Sequence, residues 1–131
     1  MPEEYSPRMN HDSAEYWRGV SAKTLLLAHC KSCDHWIHPP RACCPSCWSD
    51  DIEHRSPSGQ GTLYSYTVQA GPGGRPLILG WVELVEQQRL LLVAPLMDLA
   101  PDAIKIGAKL HLDWLPFQNT FVPTFRQENA L

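Results

Sequence analysis

Four cysteines in two pairs carry the plainest chemistry in this sequence: Cys30-x-x-Cys33 and Cys44-x-x-Cys47, with ten residues between them. A C-x-x-C step can turn two thiolates toward one point. Two such steps facing each other complete a tetrahedral S4 site, the closed geometry that Zn2+ prefers in structural sites. Pro45 lies inside the second step, where its fixed φ suits a tight turn. Four protein ligands leave no position for water, so the ion would hold the loops folded rather than activate a nucleophile.

The competing readings are weaker. Five cysteines crowd between residues 30 and 47, and an odd count at such spacing makes a poor disulfide framework. Iron in a four-thiolate site would use the same ligands; zinc is the expected ion because no electron-transfer feature accompanies the thiols. Cys43 neighbours a ligand and would lengthen the second step by one residue if it replaced Cys44, so it is read as a spectator. His29, His35 and His38 could each substitute for a thiolate, but four cysteines already in register leave them as loop or surface residues.

Other elements must bring the two steps together. Residues 23–29 form a leucine-rich run that reads as a strand entering the first step. Residues 34–43 read as the connecting loop, held extended by Pro39-Pro40. The polar residues 49–60 read as the second half of the ribbon and its link onward. Upstream, Asp12 or Ser13 can cap a short helix over residues 14–18, stopped at Gly19, with Tyr16, Trp17 and Val20 on one face. From Gly61 the pattern changes to alternating β-branched and aromatic residues. Strands are expected over residues 62–69, 77–85, 89–94, 109–115 and 121–126, with a sharp break at Gly71-Pro72-Gly73-Gly74, a hairpin turn at Glu86-Gln87-Gln88, and a short turn or helix from Pro101 toward Gly107. Five strands in this order predict a small Greek-key barrel of the OB-fold kind; an SH3-like barrel satisfies the same count. The fold class is therefore mainly β, in three parts: an N-terminal helical segment over 1–22, a zinc ribbon over 23–58 and a five-stranded OB-fold domain over 59–131.

The 11 basic and 14 acidic residues give a net charge of −3, which supplies no global field toward a phosphate backbone. Nucleic acid is thus a disfavoured partner, although zinc ribbons and OB-folds can hold single strands on aromatic platforms. No apolar run is long enough to span a bilayer, and residues 1–10 lack the pattern of a secretory signal, so the expected location is cytoplasmic. No nucleophile elbow, HExxH or phosphate loop is present, and Asp50-Asp51 reads as solvated charge, so no catalytic residue is assigned.

A wider set of residues resembles a known family. Tyr16-Trp17, the leucine strand, Cys30-x-x-Cys33, Pro39-Pro40-Arg41, Cys44-Pro45-x-Cys47 and Gly61-Thr62-Leu63-Tyr64-Ser65-Tyr66-Thr67 follow one another as in the DUF35 proteins. The likeness continues through Gly80-Trp81-Val82-Glu83-Leu84, Ile106-Gly107 and Val122-Pro123-x-Phe125. It implies a rubredoxin-like zinc ribbon joined to an acyl-CoA-associated OB-fold. It also implies a non-catalytic accessory subunit that binds a thiolase-like enzyme (a thiolase, lipid-transfer-type aldolase or C-acyltransferase) and helps shape an acyl-CoA channel in a hetero-oligomer, in some relatives alongside a MaoC-like hydratase. Such families usually carry Gly after each cysteine pair. Here Asp34 and Trp48 stand there, and a left-handed backbone suits Asp moderately and Trp poorly.

On that reading Trp17, Trp36 and Trp48 are the expected partner-interface residues, because tryptophan is enriched at interface centres and little core is available beside the metal steps. Trp81 and Trp114 are expected to fill the barrel core, which is also the default place for Tyr64 and Tyr66. Arg41, with Lys31 as its companion, is expected to meet the phosphates of coenzyme A, a cofactor shared with the partner; bonding carbonyls of its own loop is the alternative for Arg41.

Overall fold

The structure, a computed structural model, describes residues 10–127. All of the polar N-terminal stretch except Asn10, and residues 128–131 of the expected barrel domain, lie outside the described residues. Helix α1 spans Ala14–Ser21, and the strands are β1 Leu27–Cys30, β2 Trp36–Ile37, β3 Ile52–Arg55, β4 Gln60–Ala70, β5 Pro76–Leu84, β6 Leu91–Met97, β7 Lys109–Phe117 and β8 Thr120–Gln127. These residues form two compact units. One contains residues 10–57 with 114–122, the other 58–113 with 123–127. No helix among the described residues is long and apolar enough to cross a membrane.

In the first unit α1 runs two residues past Gly19, to Ser21. The glycine is needed for proximity rather than termination: a Cβ there would lie 2.5 Å from the carbonyl oxygen of Thr24, whose own N–H donates to the Gly19 carbonyl at 2.8 Å. Ser13 holds the N-cap position without capping. Its hydroxyl accepts the Asn10 N–H at 3.1 Å, and the Asn10 side-chain oxygen accepts the Ser13 N–H at 2.8 Å. The ribbon is a three-stranded antiparallel sheet in the order β2-β1-β3. β2 falls in residues 34–43, expected as connecting loop, and β3 within residues 49–60, expected as the second half of the ribbon and its link. β2 is only two residues long, and Ile52–Arg55 alternates in a polar stretch with a single aliphatic side chain, so neither emits a strong strand signal.

The second unit carries most of a closed barrel in the order β4-β5-β6-β8-β7, the five-stranded OB-fold topology. β4 pairs with both β5 and β7, and β6 meets β8 in parallel through Leu96↔Phe125 and Met97↔Arg126. At that seam Arg126 is ion-paired with both Asp98 and Asp113. Leu63, Ile78, Val82, Leu84, Leu92, Leu96, Leu110 and Phe125 are buried. Neither Trp81 nor Trp114 joins them: both are only partly buried. Trp81 falls on the outward alternation of β5, between buried Gly80 and Val82, and Trp114 belongs to the segment grouped with the ribbon unit. A register shift between Leu63 and Ser65 leaves Tyr64 as the extra residue of β4, and Tyr64 is exposed and Tyr66 only partly buried, so neither fills the core.

Strand β5 crosses β4 so closely that a Cβ on Gly61 would lie 2.5 Å from the Glu83 carbonyl oxygen and 2.8 Å from a Val82 methyl. Backbone cannot yield there as a side-chain end would. Gly61→Ala should therefore cost about 1–3 kcal/mol of stability, read as a lowered urea midpoint at unchanged slope.

Candidate metal centre

The site is built from two loops that repeat one backbone pattern. In the first, the Cys30 N–H donates to the His35 carbonyl at 2.8 Å and the Asp34 N–H to the Cys30 carbonyl at 2.9 Å. In the second, the Cys44 N–H donates to the Ser49 carbonyl at 2.8 Å and the Trp48 N–H to the Cys44 carbonyl at 2.8 Å. Each pattern requires a left-handed residue directly after the second cysteine. Asp34 has φ 63° and Trp48 φ 66°. The second loop thus adopts the same turn as the first despite the bulk of Trp48, because the ring points into solvent: Trp48 is 79% exposed.

The two loops bring Cys30, Cys33, Cys44 and Cys47 together, with all four sulfurs within 4.8 Å of one another. Cys30 Sγ to Cys47 Sγ and Cys33 Sγ to Cys44 Sγ are both 3.6 Å. Disulfide sulfurs would be about 2.05 Å apart, whereas tetrahedral Zn–S bonds of about 2.3 Å imply sulfurs roughly 3.8 Å apart. None of the cysteines is in a disulfide. The first cysteine of each loop is buried and the second exposed, so the pseudo-symmetry extends to solvent access.

The electrostatics also suit a cation. Burial raises the Cys30 pKa, but N–H groups of Cys33 and Ser32 and the neighbouring thiols outweigh it and bring the value down to about 7. For Cys33, the His35 N–H favours the thiolate, yet burial and the thiols of Cys47, Cys44 and Cys30 push it up to about 12. One sulfur ionises readily and the next resists, as expected when like charges share a small volume without a counter-ion. The donor set therefore fits a soft or borderline divalent ion.

The other candidate ligands lie apart from this cluster. Cys43 is exposed and not among the convergent sulfurs. His29 is buried and turned to the opposite face of β1, with Nδ1 2.8 Å from Glu53 and Nε2 3.7 Å from Asp34. His35 contributes its carbonyl to the first loop. The His38 ring lies 5.6 Å from that of Tyr16, and burial lowers its pKa. The expected interface tryptophans differ in setting. Trp17 is half-buried, its ring edge-on to Tyr16 at 5.0 Å. Trp36 and His29 meet edge-to-face with ring centroids 4.8 Å apart, and the Arg55 guanidinium lies 5.8 Å from the Trp36 ring. Arg41 is exposed and lines a cleft of about 190 Å3 with His11, Asp12, Ile52 and His54. Lys31, exposed on the first loop, does not line that cleft. The His29–Glu53 pair and the cleft around Arg41 escape sequence reasoning, because both depend on the pairing of β3 with β1, which places Glu53 opposite His29 and His54 opposite Ala28.

A four-sulfur ribbon joined to a closed five-stranded barrel defines the class: a zinc-ribbon and OB-fold protein. Residues 17–53 match the sequence model of the ChsH2 rubredoxin-like zinc ribbon domain and residues 54–115 that of the ChsH2 C-terminal OB-fold domain. The chain is 31% identical over 104 residues to a DUF35 domain-containing scaffold protein of Pyrococcus furiosus, covering 76% of this chain and 75% of that protein. The chain belongs to the DUF35 family. It is also 36% identical over 125 residues to a probable enoyl-CoA hydratase alpha subunit of Thermomonospora curvata; the match covers 92% of this chain but spans only 39% of that longer protein. A solved structure, the Ltp2-ChsH2(DUF35) aldolase, superposes with a TM-score of 0.84 at 35% identity, covering 93% of this chain and 98% of that one.

Left-handed backbone costs a non-glycine residue roughly 1–2 kcal/mol, and Trp48 buries too little of its ring to offset it. Trp48→Gly should therefore raise the stability of the metal-loaded protein by about 0.5–1 kcal/mol, seen as a higher melting temperature.

Proposed function

We propose that this chain is a non-catalytic accessory subunit of a thiolase-like acyl-CoA enzyme, a thiolase, lipid-transfer-type aldolase or C-acyltransferase, which it stabilises in a cytoplasmic hetero-oligomer. Cys30, Cys33, Cys44 and Cys47 hold one structural Zn2+, whose task is to keep the two loops folded against each other. The functional division follows the expected boundaries: helical segment 1–22, ribbon 23–58 and barrel 59–131. A MaoC-like hydratase is a second partner of the same class of assembly.

The observation that carries this reading is the likeness across nearly the whole chain to the solved aldolase assembly, joined by the naming of the Thermomonospora relative as a hydratase subunit. The exposure of Trp48 supports it, since a large apolar ring kept in solvent at a conformational cost has no folding rationale. Trp48, with Trp17 and Trp36, is the proposed partner contact of the ribbon unit. Arg41 is the proposed contact to a coenzyme A phosphate, its guanidinium on the rim of the cleft, with Lys31 a second charge on the first loop. The partner supplies the catalytic residues, and the acyl-CoA is shared with it.

Co-expression with thiolase-like and MaoC-like candidates, followed by size-exclusion chromatography and metal analysis, tests the reading. A stable complex with one Zn2+ per copy of this chain is expected. Cys30→Ser and Cys44→Ser should lose the metal and the complex together, while Trp48→Ala keeps the metal and binds the partner about tenfold or more weakly. A chain that stays alone with every candidate yet retains single-stranded oligonucleotides would be a nucleic-acid module instead.

A further inference from the structure

Helix α1 has eight residues, too few to persist in water unless it is docked. Its two halves dock differently. At the C-terminal end Val20 is buried and Gly19 lies against the Thr24 backbone. In the N-terminal half the polar contacts are local: Asn10 and Ser13 bond each other, and Glu15 pairs with Arg18 one turn on, both of them exposed. An aromatic row leads from this half to the ribbon. The Tyr16 ring lies 5.0 Å from that of Trp17 on one side and 5.6 Å from that of His38, the residue after β2, on the other.

His38 Nδ1 is buried and has no hydrogen-bond partner among the described residues. A neutral imidazole tolerates this, because one of its nitrogens carries no hydrogen. A protonated ring carries one on each, and a buried N–H without an acceptor is costly. Burial accordingly pushes the His38 pKa below the ordinary imidazole value, and no charged side chain contributes. The charged groups nearby are engaged with one another. Arg18 is the chief cause that holds the Glu15 carboxyl down, with His54 of β3 a minor one. His54 stands in the cross-strand row of Ala28 and Ile37, and it lines the cleft with His11, Asp12 and Arg41.

We propose that His38 is an acid-sensitive latch for α1: protonation of its ring frees the N-terminal half of the helix from the ribbon and takes Trp17 with it. The docked ring resists the proton, whereas a ring released to water accepts it near pH 6.5. Docking is therefore at full strength above that pH and weakens as pH falls toward the lower pKa of the docked ring. Within that window the ratio of free to docked helix rises about tenfold per pH unit. Because Trp17 is a proposed partner contact, the latch would also make partner binding pH-dependent. That consequence rests on the function proposed above; the latch itself does not.

The test uses the full zinc-loaded chain. Amide exchange over Trp17 to Ser21, corrected for the intrinsic rate, is compared at about pH 7.5 and about pH 5.5, with bound zinc measured at both. Protection in the parent should fall roughly tenfold with the zinc retained. His38→Phe, whose ring does not titrate, should keep its protection, with His38→Gln as the second variant, and His54→Gln should respond as the parent does. Followed by NMR, the His38 ring should titrate below the ordinary imidazole range. The latch is overturned if the parent keeps its protection, if the His38 variants lose as much as the parent, if His54→Gln abolishes the response, or if the His38 ring titrates at its ordinary value. Zinc loss that tracks the exchange in parent and variants alike would place the response at the thiolates and overturn it too. With a thiolase-like partner bound, the parent complex should weaken at the lower pH and the His38→Phe complex should not; equal weakening would overturn the consequence for binding. If no partner binds, the accessory-subunit reading fails, and the exchange result still decides the latch.

Discussion

Four sulfur atoms gathered within 4.8 Å of one another are the constraint on which the ribbon depends. Beside the ligands Cys30 and Cys44, the apolar cluster around the sulfurs holds Ala28, Ile37 and Ile52. Those three side chains alone bury too little to offset the entropy of ordering two loops. The loops therefore need a common anchor, and the thiolates need a counter-ion, which are the same requirement seen from the chain and from the charge. The face of the sheet away from the sulfurs is held differently. His29 sits directly opposite Trp36 on one side and Glu53 on the other, so an indole, an imidazole and a carboxylate form a cross-strand row.

The barrel carries its own support. Its core of aliphatic side chains and Phe125 is continuous around the closed sheet. Where β6 meets β8 in only two residue pairs, Arg126 ties both Asp98 and Asp113 into the seam. A short parallel junction is the weakest step in such a barrel, and an ion pair shared by two carboxylates fastens it more firmly than either pair alone. The two units are thus stabilised by different physics, metal ligation in one and hydrophobic closure in the other.

What the sequence reveals follows from how each signal arises. The paired C-x-x-C steps and the five alternating strands are legible because each is encoded locally, in spacing or in period two. Strand β2 is not, since two residues cannot display a period. Gly19 looks like a helix stop but is a contact point with the backbone at Thr24, a tertiary fact that composition does not contain. Trp81 misleads for the opposite reason. Tryptophan in a strand of alternating pattern ordinarily reads as core, yet both alternations of β5 are apolar, and only the burial of Gly80, Val82 and Leu84 decides which one faces in. The bulge at Tyr64 likewise has no glycine to mark it.

Trp48 shows how a local conflict can be informative. The turn after Cys47 requires a left-handed residue, glycine would satisfy it without strain, and the ring gains little from burial where it stands. Folding alone would favour replacing it. Asp34, at the equivalent place in the first loop, meets the same backbone demand with a small polar side chain and raises no such question. Because the two loops share one hydrogen-bond pattern, the difference between them cannot come from the metal site. It comes from what each loop presents outward: the second offers an indole, in a unit whose metal holds that ring in a fixed direction. A rigid aromatic anchor loses little conformational entropy when a partner closes over it. On the accessory-subunit reading proposed above, the exposed ring is where a partner would close over the ribbon unit.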